Sequence, residues 1–118
     1  MAKDDYYVLI YKILTYLYEC LKAGIKPDIE EISHNAPAIN IKESYWKYIM
    51  VHLLDEGLIE GAQKVEIRGV AGIKIDPGLN ITPLGIEYLK ENSTIRKVEK
   101  ILDSPVVKLA GGAIGLKL

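Results

Sequence analysis

The segment Glu43–Gly61, ESYWKYIMVHLLDEGLIEG, joins a helical pattern to an extended one and carries three aromatic residues. Its apolar residues recur at steps of three and four, which predicts a helix with one buried face. That face consists of Trp46, Ile49, Met50, Leu53 and Leu54, so we predict that Trp46 is core. Asn40 and Glu43 have the spacing of a capping box, although a start one or two residues later is equally compatible. The Glu-Gly-Leu-Ile sequence at residues 56–59 indicates that the helix ends there and a strand follows.

Two more helices are predicted upstream of this segment. In residues 5–24 an apolar face recurs at helical spacing, and Gly24 is predicted to end that helix. The face consists of Tyr6, Ile10, Ile13, Leu14, Leu17 and Leu21. In residues 26–36, KPDIEEISHNA, Asp28 and Glu31 have the spacing of a capping box, which predicts a short second helix.

Downstream of the segment the period of the apolar residues changes from 3.6 to 2. Val65 and Ile67 alternate with polar residues, RGVAG at residues 68–72 supplies a turn, and IKI at 73–75 alternates again. This pattern predicts a β-hairpin. DPGLNI at residues 76–81 predicts a further tight turn before a third short strand.

Two helices are predicted after the hairpin. In NITPLGIEYLKEN, residues 80–92, Thr82 is the expected cap and Pro83 the first helical residue. In STIRKVEKILDS, residues 93–104, the apolar residues fall on one face, and Pro105 is predicted to end that helix.

The order of these elements predicts an α+β winged helix. A helix-turn-helix core of three helices is followed directly by a β-hairpin, which is the wing, and then by two C-terminal helices. We assign residues 1–104 to this winged-helix domain and residues 105–118 to an apolar C-terminal tail.

Three segments of the chain resemble the YjcQ-like family of small winged-helix proteins. They are LTYLYECLKAG with KPDIEEI, then SYWKYIMVHLLDEGLIEG, and the most distinctive, NITPLGIEYLKENSTIRKVEKIL, so the resemblance extends to about Leu102. The family is found in Gram-positive bacteria and often in prophage regions. The resemblance implies a winged-helix fold and a DNA-related role, and it supplies no catalytic residue.

The composition favours a single domain in a reducing compartment. The 118 residues contain one cysteine, Cys20, which excludes an internal disulfide, and we expect a cytoplasmic protein because no signal peptide is visible. The tail PVVKLAGGAIGLKL contains two lysines and is too short to span roughly 30 Å of hydrocarbon, so no membrane partner is expected. The net charge is −1, divided into −4 for residues 1–60 and +3 for residues 61–118, which is far less basic than a typical nucleic-acid binder.

Double-stranded DNA is the partner that the predicted fold favours. The polar residues of the third helix would enter the major groove or contact phosphates, and cations of the wing would reach the backbone or minor groove. These residues are Lys42, Ser44, Tyr45, Lys47, Tyr48, Lys64, Arg68 and Lys74. The DNA interpretation requires Glu43, Asp55 and Glu56 to face away from the groove. The alternative is an ordinary solvated helix and hairpin.

A tyrosine-rich stripe on the first helix suggests a homodimer. It consists of Tyr7, Tyr11, Leu14 and Tyr18, and tyrosine suits interfaces because it combines a large ring with a polar tip. The equally weighted alternative is that these rings pack on the last helix within the monomer. We expect the apolar tail, residues 105–118, to dock onto the stripe of a second copy, because free chains rarely expose so much apolar surface.

No residue pattern indicates catalysis. Cys20, His34 and His52 are isolated in the sequence, and no metal-binding, nucleophile-elbow or phosphate-loop motif occurs. We therefore expect a protein that is not an enzyme and needs no cofactor or metal. The leading interpretation is a small transcriptional regulator of phage or mobile-element origin, and the alternative is a winged-helix module that binds a protein partner without binding DNA.

Overall fold

The computed structural model describes residues 2–102, so the predicted tail lies outside the described residues. The elements are α1 (Tyr6–Ala23), a 3-10 turn (Ile29–Glu31), α2 (Glu43–Asp55), β1 (Ile59–Ile67), β2 (Val70–Ile81), α3 (Pro83–Glu91) and α4 (Ser93–Leu102). β1 and β2 pair as an antiparallel hairpin. This order confirms the predicted α+β class, a winged helix followed by two C-terminal helices.

The predicted second helix is shorter than expected, because it is reduced to a single 3-10 turn at Ile29–Glu31. Asp28 does cap that turn, since its side chain accepts a hydrogen bond from the Glu30 N–H at 3.0 Å. After it the backbone bonds close separate turns, such as Ile39 N–H to Ala36 carbonyl at 2.9 Å, rather than continuous helix. Tertiary contacts hold this segment instead of a helical ladder.

The capping box at Asn40 and Glu43 does not form, and α2 begins at the later of the starts that the sequence equally allowed. Asn40 has a φ of 47° and lies before the helix, while the capping position is occupied by Lys42, whose side chain makes no capping hydrogen bond. Glu43 is the first helical residue, where the exposed N–H groups favour a carboxylate. The helix therefore begins two residues later than the capping box placed it.

Trp46 lies in the core, as predicted. It is 8% exposed, and its Nε1–H donates to the Ile32 carbonyl at 2.8 Å, which ties α2 to the segment that precedes it. A second such tie joins this segment to α1, because the Asp28 N–H donates to the Tyr16 hydroxyl at 2.9 Å. These two bonds satisfy polar groups that would otherwise be buried without partners.

The buried face of α1 contains more residues than predicted, and its last buried residue is Cys20 instead of Leu21. It consists of Val8, Leu9, Ile10, Ile13, Leu14, Tyr16, Leu17 and Cys20. By contrast Leu21, predicted to be core, is 44% exposed, and Tyr6 is only partly buried. The face is wide because α2, α3, α4 and β2 all pack against α1.

The wing is a hairpin with a tight two-residue turn. Ile67 pairs with Val70, and between them Arg68 and Gly69 have φ values of 52° and 79°, as a type I′ turn requires. The tight turn and third strand predicted at residues 76–81 are instead part of β2. Residues 76–79 bulge there, between the pairs Ala62–Ile75 and Glu60–Asn80.

The helix α3 begins as predicted, with Thr82 as its cap. The Thr82 Oγ1 accepts a hydrogen bond from the Gly85 N–H at 3.0 Å and donates to the Gly57 carbonyl at 2.5 Å. The second bond joins the two ends of the wing, because Gly57 lies just before β1 and Thr82 just after β2. Asn92 caps α4 in the same manner, accepting from the Thr94 and Ile95 N–H groups.

Cys20 is predicted to be chemically inert while the protein is folded. Its side chain is 0% exposed, and burial raises the pKa of the thiol, an effect partly offset by a hydrogen bond with Tyr16. Because the thiolate is the reactive form, a soluble disulfide reagent should modify Cys20 at least roughly a hundredfold more slowly in buffer than in urea. Equal rates in the two solvents would show that this face of α1 opens readily.

Candidate nucleic-acid interface

A groove of about 400 Å³ separates α2 from the wing. Its walls are residues of α2 on one side and the start of β2 on the other, namely Glu43, Ser44, Lys47, Tyr48, Val51, His52, Val70, Ala71 and Gly72. Three of the predicted DNA contacts, Ser44, Lys47 and Tyr48, therefore lie together beside the wing. The floor between them is apolar.

The three aromatic residues of α2 have three different roles. Trp46 is core, and Tyr45 is partly buried with its hydroxyl donating to the Asp4 carbonyl at 2.9 Å. Burial raises the pKa of Tyr45, with a smaller contribution from Asp4. Tyr48 is 56% exposed, so it alone offers its ring to a partner. Its ring stacks on that of His52, with centroids 4.2 Å apart.

Two of the predicted lysine contacts already pair with carboxylates. Lys47 Nζ lies 3.6 Å from Glu43 Oε1, and Lys64 Nζ lies 2.8 Å from Asp55 Oδ1. Both pairs are substantially exposed, so each contributes less than about 1 kcal/mol and can be exchanged for a phosphate. These lysines remain available to DNA, at the cost of separating the pairs.

The requirement that the acidic residues of α2 face away is met only in part. Asp55 and Glu56 do not line the α2–wing groove, and Glu56 lies beside α3 instead. Glu43 does line the α2–wing groove, on the same side as the predicted contacts Ser44 and Lys47, where its carboxylate would repel a phosphate. The first-turn N–H groups and Lys47 stabilise its carboxylate at that position.

The cations of the wing that were predicted to contact DNA together lie on different parts of the hairpin. Lys74 is paired with Gln63 and Lys64 with Ile73, and neighbouring pairs of a ladder point to opposite faces of the hairpin. Lys64 therefore faces Asp55 of α2, while Lys74 is exposed on the other face. Arg68 is exposed at the turn.

Four residues of this surface were not among the predicted contacts. Ile67 and Val70 flank the turn and are 69% and 66% exposed, and Val51 and His52 line the groove. The sequence did contain one signal, since Tyr48 and His52 are four residues apart and thus share a helix face. The exposure of the wing tip had no local signal.

The predicted dimer stripe is largely internal to the monomer. Leu14 is 0% exposed and is therefore not a surface residue. Tyr11 and Tyr18 are partly buried against the core and line a recess with Leu89 of α3 and with α4. Only Tyr7, at 40% exposure, offers a large free ring area. The homodimer remains a prediction.

Residues 2–102 form no candidate metal site and no candidate membrane span. Within this range no group of three or more histidine, cysteine, aspartate or glutamate residues is placed to hold a metal ion. None of the helices in the described part has the length and apolar character needed to traverse a bilayer.

A family model described as YjcQ protein matches residues 11–104. The chain belongs to the YjcQ family. The matched region contains α2, the wing and both C-terminal helices, so the α2–wing groove is part of the YjcQ domain. The match ends at residue 104, directly before the apolar tail. None of the curated proteins and none of the solved structures compared matches this chain.

Proposed function

We propose that this YjcQ-family protein binds double-stranded DNA as a small transcriptional regulator of phage or mobile-element origin, without catalytic activity or a cofactor. The observation that supports the proposal is the exposed first half of α2 beside a wing that presents Arg68 at its turn. A helix with an adjacent hairpin is the arrangement with which winged-helix proteins approach a duplex.

The first turn of α2 is the part that would enter the major groove. Lys42 supplies no side-chain cap, so the first N–H groups of α2 are free of a capping side chain and favour a phosphate. Ser44 and Tyr48 line the α2–wing groove and would contact base edges of the DNA. Lys42 and Lys47 would contact phosphates. Arg68 and Lys74 would add contacts from the wing.

The charge of this surface predicts weak nonspecific binding. From Lys42 to Ile81 the chain has five cations and six carboxylates, a net charge of −1. Since phosphate contacts supply most of the nonspecific affinity, a nearly neutral surface depends on a few well-placed cations. Individual charge changes should therefore have clear effects.

We expect Arg68→Ala to weaken binding to a random-sequence duplex and to lower the slope of log affinity against log salt by about one unit. The reason is the loss of one phosphate contact from the exposed turn of the wing. The measurement is a titration of duplex at several salt concentrations. Lys97→Ala is the matched control, because Lys97 is an exposed cation of α4 and should leave the slope unchanged.

Glu43→Gln tests the same surface in the opposite direction. It removes the carboxylate from the groove and releases Lys47, so it should strengthen binding and steepen the slope. Circular dichroism of all three variants controls for folding. If Arg68→Ala and Lys97→Ala give identical slopes, Arg68 is not a DNA contact, and if no variant binds duplex at low salt, the DNA proposal fails.

The apolar floor of the groove favours a second candidate, a winged-helix module that binds a protein. Tyr48, Val51 and Val70 form a surface that suits an apolar side chain of a partner, and Ile67 extends it at the wing tip. Such binding would show little dependence on salt. We expect Val70→Ser to weaken binding of a protein partner and to leave binding to DNA phosphates nearly unchanged.

A further inference from the structure

A second groove, of about 540 Å³, lies between the end of α2 and α3. Its apolar part consists of Leu58, Leu84 and Tyr88, and its polar part of Glu56, Glu87, Glu91 and Asn92. Leu58 is buried, whereas Leu84 is 51% exposed and lies next to Gly57. The groove therefore combines an uncovered aliphatic surface with a concentration of carboxylates.

Tyr88 lies close to a carboxylate of the groove. Burial, and then the neighbouring Tyr7 and Glu56, raise the pKa of Tyr88 to about 12. The ring therefore stays neutral and offers an apolar face beside the carboxylates. An occupant with aliphatic side chains and a few cations would match this surface, while an acidic one would be repelled.

The C-terminal tail of the same chain has that composition. Residues 104–118 contain no acidic residue, and they combine eight valine, leucine, isoleucine and alanine side chains with two lysines, Lys108 and Lys117. The YjcQ family match stops at residue 104, so residues 105–118 lie outside the matched region.

The end of α4 lies within reach of the groove. Asn92 lines the groove and immediately precedes α4, and α4 ends at Leu102. Ten helical residues extend about 15 Å, so the tail begins about that far from the groove. The 16 residues after Leu102 can reach roughly 50 Å when extended, which is ample for a return of that length.

We propose that the C-terminal tail of the chain docks in the groove between α2 and α3, with its aliphatic side chains on Leu84 and Tyr88 and its lysines beside Glu87 and Glu91. A segment tethered this closely has an effective concentration in the millimolar range, which favours its own groove over that of another molecule. The docking expected from the sequence, onto the tyrosine stripe of a second copy, loses its receiving surface because Leu14 is buried and Tyr11 and Tyr18 are packed within the monomer. This proposal does not depend on DNA binding.

A spin label in the tail tests the proposal on the full-length protein. The label is attached to Ala113→Cys, since the natural Cys20 is buried. We expect the backbone amide signals of Leu84, Glu87 and Glu91 to lose at least half of their intensity, and that of Arg68 at the wing tip to be unchanged. A mixture of isotope-labelled protein without spin label and spin-labelled protein without isotope should show no loss.

Charge reversal tests the predicted lysine contacts. Glu87 and Glu91 are exposed on α3, so the double change Glu87→Lys and Glu91→Lys should leave the fold intact and at least halve the broadening at Leu84. Adding Lys108→Glu and Lys117→Glu to that variant should restore the broadening. Broadening at a different face, no broadening anywhere, or broadening in the mixed sample would each overturn the proposal, the last in favour of a second copy.

Discussion

Gly85→Ala should lower the free energy of unfolding by roughly 3 kcal/mol, although alanine is the better helix former by about 1 kcal/mol. Gly85 is buried in the first turn of α3. A Cβ there would overlap the Leu58 carbonyl oxygen and lie 2.7 Å from Ile81 Cγ1. The Leu58 carbonyl also accepts the Thr82 N–H at 3.1 Å, so relief of the overlap would disturb that bond. Urea denaturation followed by circular dichroism measures the loss.

Gly78→Ala is the matched control for this prediction. Gly78 lies in the bulge of β2, and a Cβ there would meet nothing within 4 Å. Because alanine restricts the unfolded chain, this change should leave stability within about 1 kcal/mol or raise it slightly. A Gly85→Ala variant as stable as the control would mean that α3 can move away from Leu58 without loss, and the close packing of α3 on the base of the wing would be refuted.

Trp46→Ala should lower the free energy of unfolding by about 3 to 5 kcal/mol, the range for removal of a large aromatic side chain from a core. Two losses combine in this variant. The ring is 8% exposed, so its removal leaves a cavity, and the Ile32 carbonyl loses its donor at 2.8 Å. Denaturation in urea measures the sum.

Trp46→Phe separates the two losses. It keeps most of the ring but removes the Nε1–H, so we expect a decrease of about 1 to 3 kcal/mol from the unpaired carbonyl and the smaller volume. Hydrogen exchange of residues 33–41 should accelerate in both variants, because Trp46 anchors the segment before α2. If the alanine variant were no less stable than the phenylalanine variant, the ring itself would contribute little to the core.

Local patterns were sufficient for most of the helices and for the hairpin. The cap at Thr82 and the change of period before Val65 are properties of a few adjacent residues, and both predict the structure correctly. The second helix could not be predicted in this way. Its capping pattern at Asp28 is real, but the segment is held by Trp46 and Tyr16, which lie in other elements.

In the candidate site too, local spacing predicts some features and contacts with distant residues determine the others. Helical spacing places Ser44, Lys47 and Tyr48 on one side of α2, and the structure brings them into one groove. The opposite orientations of Lys64 and Lys74 follow from the strand register, which the turn at Arg68 determines. Helical spacing placed Leu14 on the apolar face of α1, and its burial confirms that assignment. The partial burial of Tyr11 and Tyr18 depends on where α3 and α4 pack, and the spacing of residues in α1 contains no information about that.

Secondary structure predictions of this kind also leave out where the wing can bend. The bulge at residues 76–79 lies opposite Gly61, whose φ of 79° is one that few other residues adopt. The six residues of β1 beyond it extend about 20 Å to the turn. A rotation of the outer wing with the bulge as pivot would also separate Lys64 from Asp55 and shift Ile73 and Ile75, which pack against the core. A rotation of about 10° at the pivot would sweep Arg68 through roughly 3.5 Å, close to the 3.4 Å between successive base pairs. In the proposed DNA complex, such a rotation would move the wing contact by one step along the duplex while α2 stays in register.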